Sequence, residues 1–255
     1  MSRRLLITGA RGTIGTKLAQ AAQKQGYDVI SWPRHVVSPD DIYEGNMFLS
    51  RMDLCGIVHL AYGSESWAGL LSHFARQNDI PMVFTSTAMV FSNRRNGPYE
   101  IFDVTDSNES YGQYKIRCEN AVRGASIKSC VLRLGWQIDE DGLGNNMVHH
   151  FDEEQKKNGR IACSEMWIPA CSYIEDTAAV ILRCIGERWY GLFHVDSNCE
   201  DSYSYFKIAN LLRRKLHRDW KIEIDNTYVH DQRLRDRYLP VPALSRHLGD
   251  LPRQN

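Results

Sequence analysis

The chain has 255 residues with 31 basic and 31 acidic side chains, 43% apolar and 24% charged content, the make-up of an ordinary globular protein. A formal net charge of zero argues against a surface built for nucleic acid or a polybasic membrane patch, and no apolar run is long enough to span a bilayer. Seven cysteines, odd in number and without a C-x-x-C pair, read as buried thiols of a reducing compartment. Met1-Ser2-Arg3-Arg4 leads directly into an apolar run, so no signal peptide is expected and the cytoplasm is the expected location.

In chain order, Leu5-Leu6-Ile7 is a strand that stops at Thr8-Gly9, and Ile14, Leu18, Ala19, Ala21 and Ala22 then recur at helical spacing. Between them lie Gly9, Gly12 and Gly15. A strand, a glycine turn and a helix opening toward the turn form a cradle for a pyrophosphate: the backbone can come close, and free N–H groups at the helix start favour negative charge. Gly9, Arg11, Gly12, Thr13, Ile14 and Gly15 are therefore candidate cofactor contacts. The spacing G-x-x-G-x-x-G differs from the general G-x-G-x-x-G fingerprint. Strands are predicted at Tyr27–Trp32, Gly56–Ala61, Pro81–Ser86, Cys130–Leu134 and Gly191–Val195. Helices are predicted near Ile42–Met52, Trp67–Gln77, Tyr111–Arg123 and Ile174–Ile185. Asn93–Ser110, polar and carrying Gly97-Pro98, reads as a long surface loop. This alternation predicts an α/β fold, a doubly wound parallel sheet covered by helices on both faces.

Right-handed crossovers place the residue following each strand along one edge of such a sheet. That edge collects the glycine turn, Arg34, the stretch His59-Leu60-Ala61-Tyr62-Gly63, and Ser86-Thr87-Ala88. Leu60, Ala61 and Tyr62 are candidate cofactor contacts on this ground. The next helix opens with Tyr111-Gly112-Gln113-Tyr114-Lys115, and Tyr111 and Lys115, four apart, share one helical face. An ammonium beside a phenol is expected to lower the phenol's pKa toward a useful range for proton transfer. With Thr87 as a further hydroxyl, the set suits carbonyl reduction: hydride to carbon, a proton from Tyr111 to oxygen, Thr87 orienting, and Lys115 holding ribose. Tyr203 and Lys207 repeat the spacing, but among Tyr205, Phe206, Ala209 and Leu212 they read as helix packing.

Thr8–Gly15, His59-Leu60-Ala61, Thr87 and Tyr111…Lys115, in this order and at these intervals, resemble the extended short-chain dehydrogenase/reductases of the NAD-dependent epimerase/dehydratase superfamily. Within them the likeness is to the dTDP-4-dehydrorhamnose reductase type. It is carried by Ser86-Thr87-x-x-Val90-Phe91, Cys130–Trp136, Trp167-Ile168-Pro169, Tyr173–Ala178 and Ser202–Phe206. The resemblance implies a Rossmann core over residues 1–138 and 173–196, with a small C-terminal substrate lobe over 139–172 and 197–255. It implies a nucleotide-activated 4-keto sugar as substrate and a homodimer. Ala88 stands where these reductases carry aspartate, and no Asp-Glu pair follows Thr87, which argues against the dehydration chemistry of related 4,6-dehydratases. An epimerase and a noncatalytic NADP-binding subunit on the same fold are the alternative readings.

The second strand runs into Trp32-Pro33-Arg34-His35 without a carboxylate to hold a ribose 2′-hydroxyl, and Arg11 projects from the glycine turn. Two guanidiniums near one phosphate favour NADP over NAD. No metal site is expected: His149-His150 with Asp152, Glu153 and Glu154 lacks a ligand spacing and reads as a solvated helix start. His59 is expected to line the cofactor cleft rather than to act as a base. Trp136 and Trp167 are candidates either for core packing or for stacking on a base or sugar.

Overall fold

The structure, a computed structural model, describes residues 3–94, 96–141 and 144–249; Met1-Ser2 lies outside them. The contacts divide the chain into two compact units. One comprises Met1–Ser92, Thr105–Arg133 and Thr177–Phe193, and the other Asn93–Val104, Leu134–Asp176 and His194–Asn255.

Six apolar runs form the strands β1 (Arg4–Thr8), β2 (Asp28–Ser31), β3 (Gly56–His59), β4 (Met82–Thr87), β5 (Ser129–Leu134) and, later in the chain, β10 (Gly191–Val195). They make one parallel sheet in the order β2-β1-β3-β4-β5-β10. Leu5 pairs with Val29 on one side and Gly56 on the other, and Ile57 pairs with Met82. The direction of winding reverses between β1 and β3, and the crevice at that reversal, outside the strands' C-terminal ends, is where open α/β sheets bind ligands. The sheet is the fold class expected from the sequence. Its inner strands β1, β3, β4 and β5 are buried almost throughout while the edge strands β2 and β10 are half-buried, which is why the inner ones read as continuous apolar runs rather than alternating ones.

The helices of this unit are α1 (Thr13–Lys24), α2 (Ile42–Ser50), α3 (Glu65–Gln77), α4 (Ser110–Ala125) and most of α6 (Ile174–Gly186). Asp41 caps α2 through the Glu44 N–H at 2.9 Å, and Ser64 caps α3 through the Trp67 N–H at 3.3 Å. Trp67, Leu71, Leu49, Phe84 and Val131 belong to one core cluster.

One charged pair is sunk into this unit. Arg133, inside the apolar run of β5, and Glu119, on α4, are each 4% exposed and pair bidentately, with N···O distances of 3.0 and 2.8 Å. Ser86 on β4 donates to the same carboxylate at 2.5 Å, and the Arg133 guanidinium lies 5.1 Å from the centre of the Phe91 ring.

The second unit holds β6 (Trp136–Ile138), α5 (Met147–Asn158), β7 (Ile161–Cys163), β8 (Trp167–Ile168), β9 (Cys171–Tyr173), α7 (Tyr205–Lys215), β11 (Ile222–Ile224), β12 (His230–Asp231) and α8 (Leu244–Leu248). Its strands associate only as pairs: β6 with β9, β7 with β11, and β8 with β12. Aromatic packing and one carboxylate compensate for so little sheet. Asp196 accepts N–H bonds from Cys171, Asn198 and Leu234 at 2.9–3.0 Å, joining three separate segments. The expectation of a surface loop over 93–110 is overturned in part. Tyr99 is 2% exposed, its hydroxyl lies 2.9 Å from His230 Nε2, and Gly97 and Tyr99 donate to the backbone of Asp231 and Arg233. The polar composition of the segment hides one inward aromatic whose partner is 131 residues away. Among the described residues no helix is long and apolar enough to cross a membrane, and no cluster of metal-ligating side chains forms.

Replacing Glu119 by Leu strands the Arg133 charge in the core, and loss of one partner of such a pair costs about 3–5 kcal/mol. Thermal melting of Glu119→Leu is therefore expected well below wild type, and the double variant Glu119→Leu/Arg133→Met is expected to recover most of the loss. A double variant no more stable than the single one would contradict this account.

Candidate active site

The glycine turn has the geometry of an anion cradle. Gly9 adopts φ +72°, Gly12 N–H bonds Gly9 O at 2.9 Å, and Gly12 occupies the N-cap of α1 without offering a side chain. No acidic residue sits in the first helical turn. The N–H groups of that turn thus have no acidic side chain within the turn to compete for an anion. A Cβ on Gly15 would lie 2.0 Å from Gly9 O, so the turn closes this tightly only because that position is glycine. Gly9, Arg11 and Gly12 are exposed, and Thr13 and Ile14 are half-buried.

Beside the turn, Thr8 organises the end of β3. Its Oγ1 accepts from Leu60 N–H and Ala61 N–H, both at 3.2 Å, and lies 2.7 Å from His59 Nδ1. Two N–H groups occupy both lone pairs of the hydroxyl, so its own proton goes to Nδ1 and the imidazole proton sits on Nε2. Burial, reinforced by the Lys115 and Arg34 charges, pushes the His59 pKa down to about 3. His59 is therefore a neutral spacer in the sheet at any working pH. Arg34 donates to the Tyr62 carbonyl at 2.6 Å, and its guanidinium lies 5.6 Å from the centre of the Trp67 ring. The structure thus gathers Arg34, Tyr62 and the Leu60-Ala61 backbone at the reversal point.

α4 supplies the rest. A Cβ on Gly112 would fall 2.2 Å from Met89 O and 2.1 Å from Ser107 Oγ, so the start of α4 lies directly against the 3-10 turn (Ala88–Val90) that follows β4. Thr87 caps that turn, its Oγ1 accepting the Met89 N–H at 3.2 Å, which leaves the hydroxyl proton to donate elsewhere. Tyr111, immediately before Gly112, is 40% exposed, and no described residue hydrogen-bonds its hydroxyl. Tyr114 differs. It is buried, and its hydroxyl accepts the Gly63 N–H at 3.1 Å and donates to Cys118. Of the two phenols near Lys115, only that of Tyr111 is accessible.

Lys115 is 4% exposed; its ammonium donates to Thr85 O at 2.8 Å and lies 4.8 Å from the centre of the Phe84 ring. Burial lowers its pKa to about 8. The expectation that Lys115 depresses the Tyr111 pKa is overturned. Burial, helped by Cys118 and Tyr62, pushes that phenol above its ordinary value. The ammonium is 5.9 Å from the Tyr111 ring centre, and it is turned toward the Thr85 carbonyl. Tyr203, by contrast, is buried with the Lys207 ammonium 4.1 Å from its ring centre, which fits packing.

Three participants escaped the sequence reading: Gly112, the Thr8–His59 bond, and the Glu119–Arg133 pair. Gly112 carried a signal, a glycine one residue after a candidate tyrosine. So did Arg133, a charge inside an apolar strand that had to find a partner. The hydrogen bond from Thr8 had none.

Comparison with known proteins places the chain. Residues 64–232 match the family described as RmlD substrate binding domain, and residues 5–62 match the NAD dependent epimerase/dehydratase family. The chain belongs to the RmlD substrate binding domain family. A dTDP-4-dehydrorhamnose reductase of Aggregatibacter actinomycetemcomitans is 28% identical over 232 residues, covering 81% of this chain and 77% of that protein. The spore coat polysaccharide biosynthesis protein SpsK of Bacillus subtilis is 23% identical over 227 residues, with the same coverage. Among solved structures, a dTDP-4-dehydrorhamnose reductase from Bacillus anthracis in complex with NADP superposes with a TM-score of 0.82 at 19% identity, covering 98% of each chain. The Rossmann-type fold expected from the sequence is thus shared with these members.

Two glycines of α4 make opposite predictions. Gly112→Ala forces the helix off the 3-10 turn and is expected to lower stability by about 1–3 kcal/mol, as overpacking does. Gly124→Ala, where an added methyl meets nothing within 4 Å, is expected to raise it by about 0.4–1 kcal/mol. Melting temperatures of the two variants, moving in opposite directions, check the packing at the site.

Proposed function

We propose that this protein is an NADPH-dependent reductase acting on a 4-keto group of a nucleotide-activated deoxysugar. The first unit binds the dinucleotide and the second forms the substrate lobe, a division that moves residues 93–104, 134–138, 173–176 and 194–196 out of the dinucleotide-binding part expected from the sequence. The observation that carries the reading is the docking of α4 onto the turn after β4. It brings Gly112, the residue after Tyr111, against the turn that Thr87 caps, in the same unit as the glycine turn. The printed names of the relatives and the NADP of the Bacillus anthracis complex support the same choice of substrate and cofactor.

Gly9, Gly12, Thr13, Ile14 and Gly15 suit the pyrophosphate, Leu60, Ala61 and Tyr62 the wall beside it, and Arg11 and Arg34 a 2′-phosphate. When bound, the cofactor supplies a hydride to the carbonyl carbon. Tyr111 Oη gives its proton to the carbonyl oxygen, so that one hydride and one proton convert ketone to alcohol. A phenol held above its ordinary pKa is protonated at neutral pH and ready to donate. Thr87 Oγ1 directs its O–H at the same oxygen. Lys115, anchored on Thr85 O, keeps two N–H donors for ribose hydroxyls.

NADPH is expected to raise the melting temperature far more than NADH at equal concentration, and Arg34→Ala to erase that preference, by the mass-action stabilisation of the folded state. If neither cofactor shifts melting, the dinucleotide reading falls.

With a dTDP-4-keto-deoxysugar, loss of NADPH absorbance is expected to slow by about 10²–10⁴-fold in Tyr111→Phe while the NADPH melting shift is retained. Because the Lys115 pKa is about 8, its charge is present below that pH and lost above it. Reductive kcat/KM is therefore expected to fall as pH rises through about 8, and a profile flat to strongly alkaline pH would exclude a charged Lys115 from the reaction.

A further inference from the structure

The second unit carries an open pocket of about 350 Å³, a volume suited to a small ligand, lined by Trp136, Trp167, Tyr205 and Tyr228 together with Glu154 and Asp225. The rings meet at several inclinations. Trp167 lies 4.6 Å from Tyr205 and 5.2 Å from Tyr228, the latter nearly perpendicular, and Trp136 lies 6.0 Å from Tyr205 and 6.2 Å from Trp167. Part of this aromatic group is core, since Tyr205 is buried against Phe151. Trp136 and Trp167 remain half-exposed and Tyr228 exposed, so aromatic surface is left open in the pocket lining.

Its charge is one-sided. Neither Glu154 nor Asp225 has a lysine or arginine partner among the described residues. Glu154 accepts the Asn158 amide at 2.7 Å, and Asp225 accepts the Thr227 N–H at 3.0 Å. No lysine or arginine lines the pocket. Burial lowers the pKa of His150, the remaining titratable lining residue with basic character, so it is uncharged at neutral pH. A diphosphate placed here would meet two carboxylates and no cation. Electron-rich ring faces beside unneutralised carboxylates attract the opposite class of ligand, a cation with a soft alkylated surface.

We infer that this pocket binds a small organic cation of the ammonium class, protonated or quaternary. The inference goes beyond the reductase reading and does not rest on it.

The test uses the full chain without nucleotide and follows intrinsic tryptophan fluorescence during titration with choline. A parallel titration uses its uncharged analogue, in which a tert-butyl group replaces trimethylammonium. Saturable quenching by choline, at least tenfold tighter than by the analogue, is expected. Glu154→Gln and Trp167→Leu, each checked for native circular dichroism, are expected to weaken choline at least threefold. Equal binding of choline and its uncharged analogue would overturn the inference, as would no saturable response to choline. Occupation by dTDP, with choline unable to displace it, would overturn it too and assign the pocket to an anionic nucleotide. The NADPH melting shift of the same preparation reports separately on the dinucleotide site, so failure of one reading is distinguishable from failure of the other.

Discussion

Two charges on one buried helical face, Lys115 and Glu119, dictate much of how the first unit is assembled. A desolvated ion needs a partner inside the protein, and here the neighbouring strands supply it: Arg133 of β5 and Ser86 of β4 bond Glu119, and the Thr85 carbonyl of β4 accepts from Lys115. These bonds fix α4 both along and around its axis. One turn before Lys115 the helix begins, and there Gly112 lets it touch Met89 O. The position of the Tyr111 phenol is a consequence of those contacts. A positional error of one residue in α4 would put Glu119 out of reach of Arg133, so the ion pair acts on the site while touching nothing in it.

Burial then shifts both groups the same way, toward the uncharged form: the phenol up, the ammonium down. For Lys115 the linkage sign follows. Its folded pKa of about 8 lies below the ordinary 10.5, so folding opposes its ionisation, and that opposition is relieved as pH climbs between the two values. At neutral pH the protein therefore carries a charged lysine that it would be more stable without. The lysine donates to a backbone carbonyl with one N–H and holds two in reserve. A residue whose charge costs stability and whose donors are incompletely used is the profile of a binding group rather than a structural one.

Much of this arrangement was legible in the chain. The strand, glycine turn and helix at Leu5–Ala22 and the continuous apolar runs of a covered parallel sheet followed from spacing and location. What escaped reading was orientation. A helical spacing of four puts Tyr111 and Lys115 on one face, but it cannot say that the ammonium turns to Thr85 O, because that acceptor lies on a strand 30 residues away. Tyr99 was hidden for the same reason: local polarity dominates the segment, while its burial depends on His230. Arg133 is the instructive intermediate case. Its oddity inside Cys130-Val131-Leu132-Arg133-Leu134 was visible, and Glu119 was within reach of inspection four residues after Lys115, yet nothing local linked the two.

A formal net charge of zero conceals a division of electrostatic labour between the units. In the first, Arg34 bonds the Tyr62 carbonyl, Lys115 the Thr85 carbonyl, and no acid sits in the first turn of α1. In the second, the aromatic pocket carries Glu154 and Asp225 with no arginine or lysine. The first has no acid at its helix start, and the second has no lysine or arginine among its lining residues. Whole-chain charge says nothing about either of these sites. Two local fields of opposite sign average to nothing, and only the fold, by sorting the charges into separate units, makes each of them felt by a ligand.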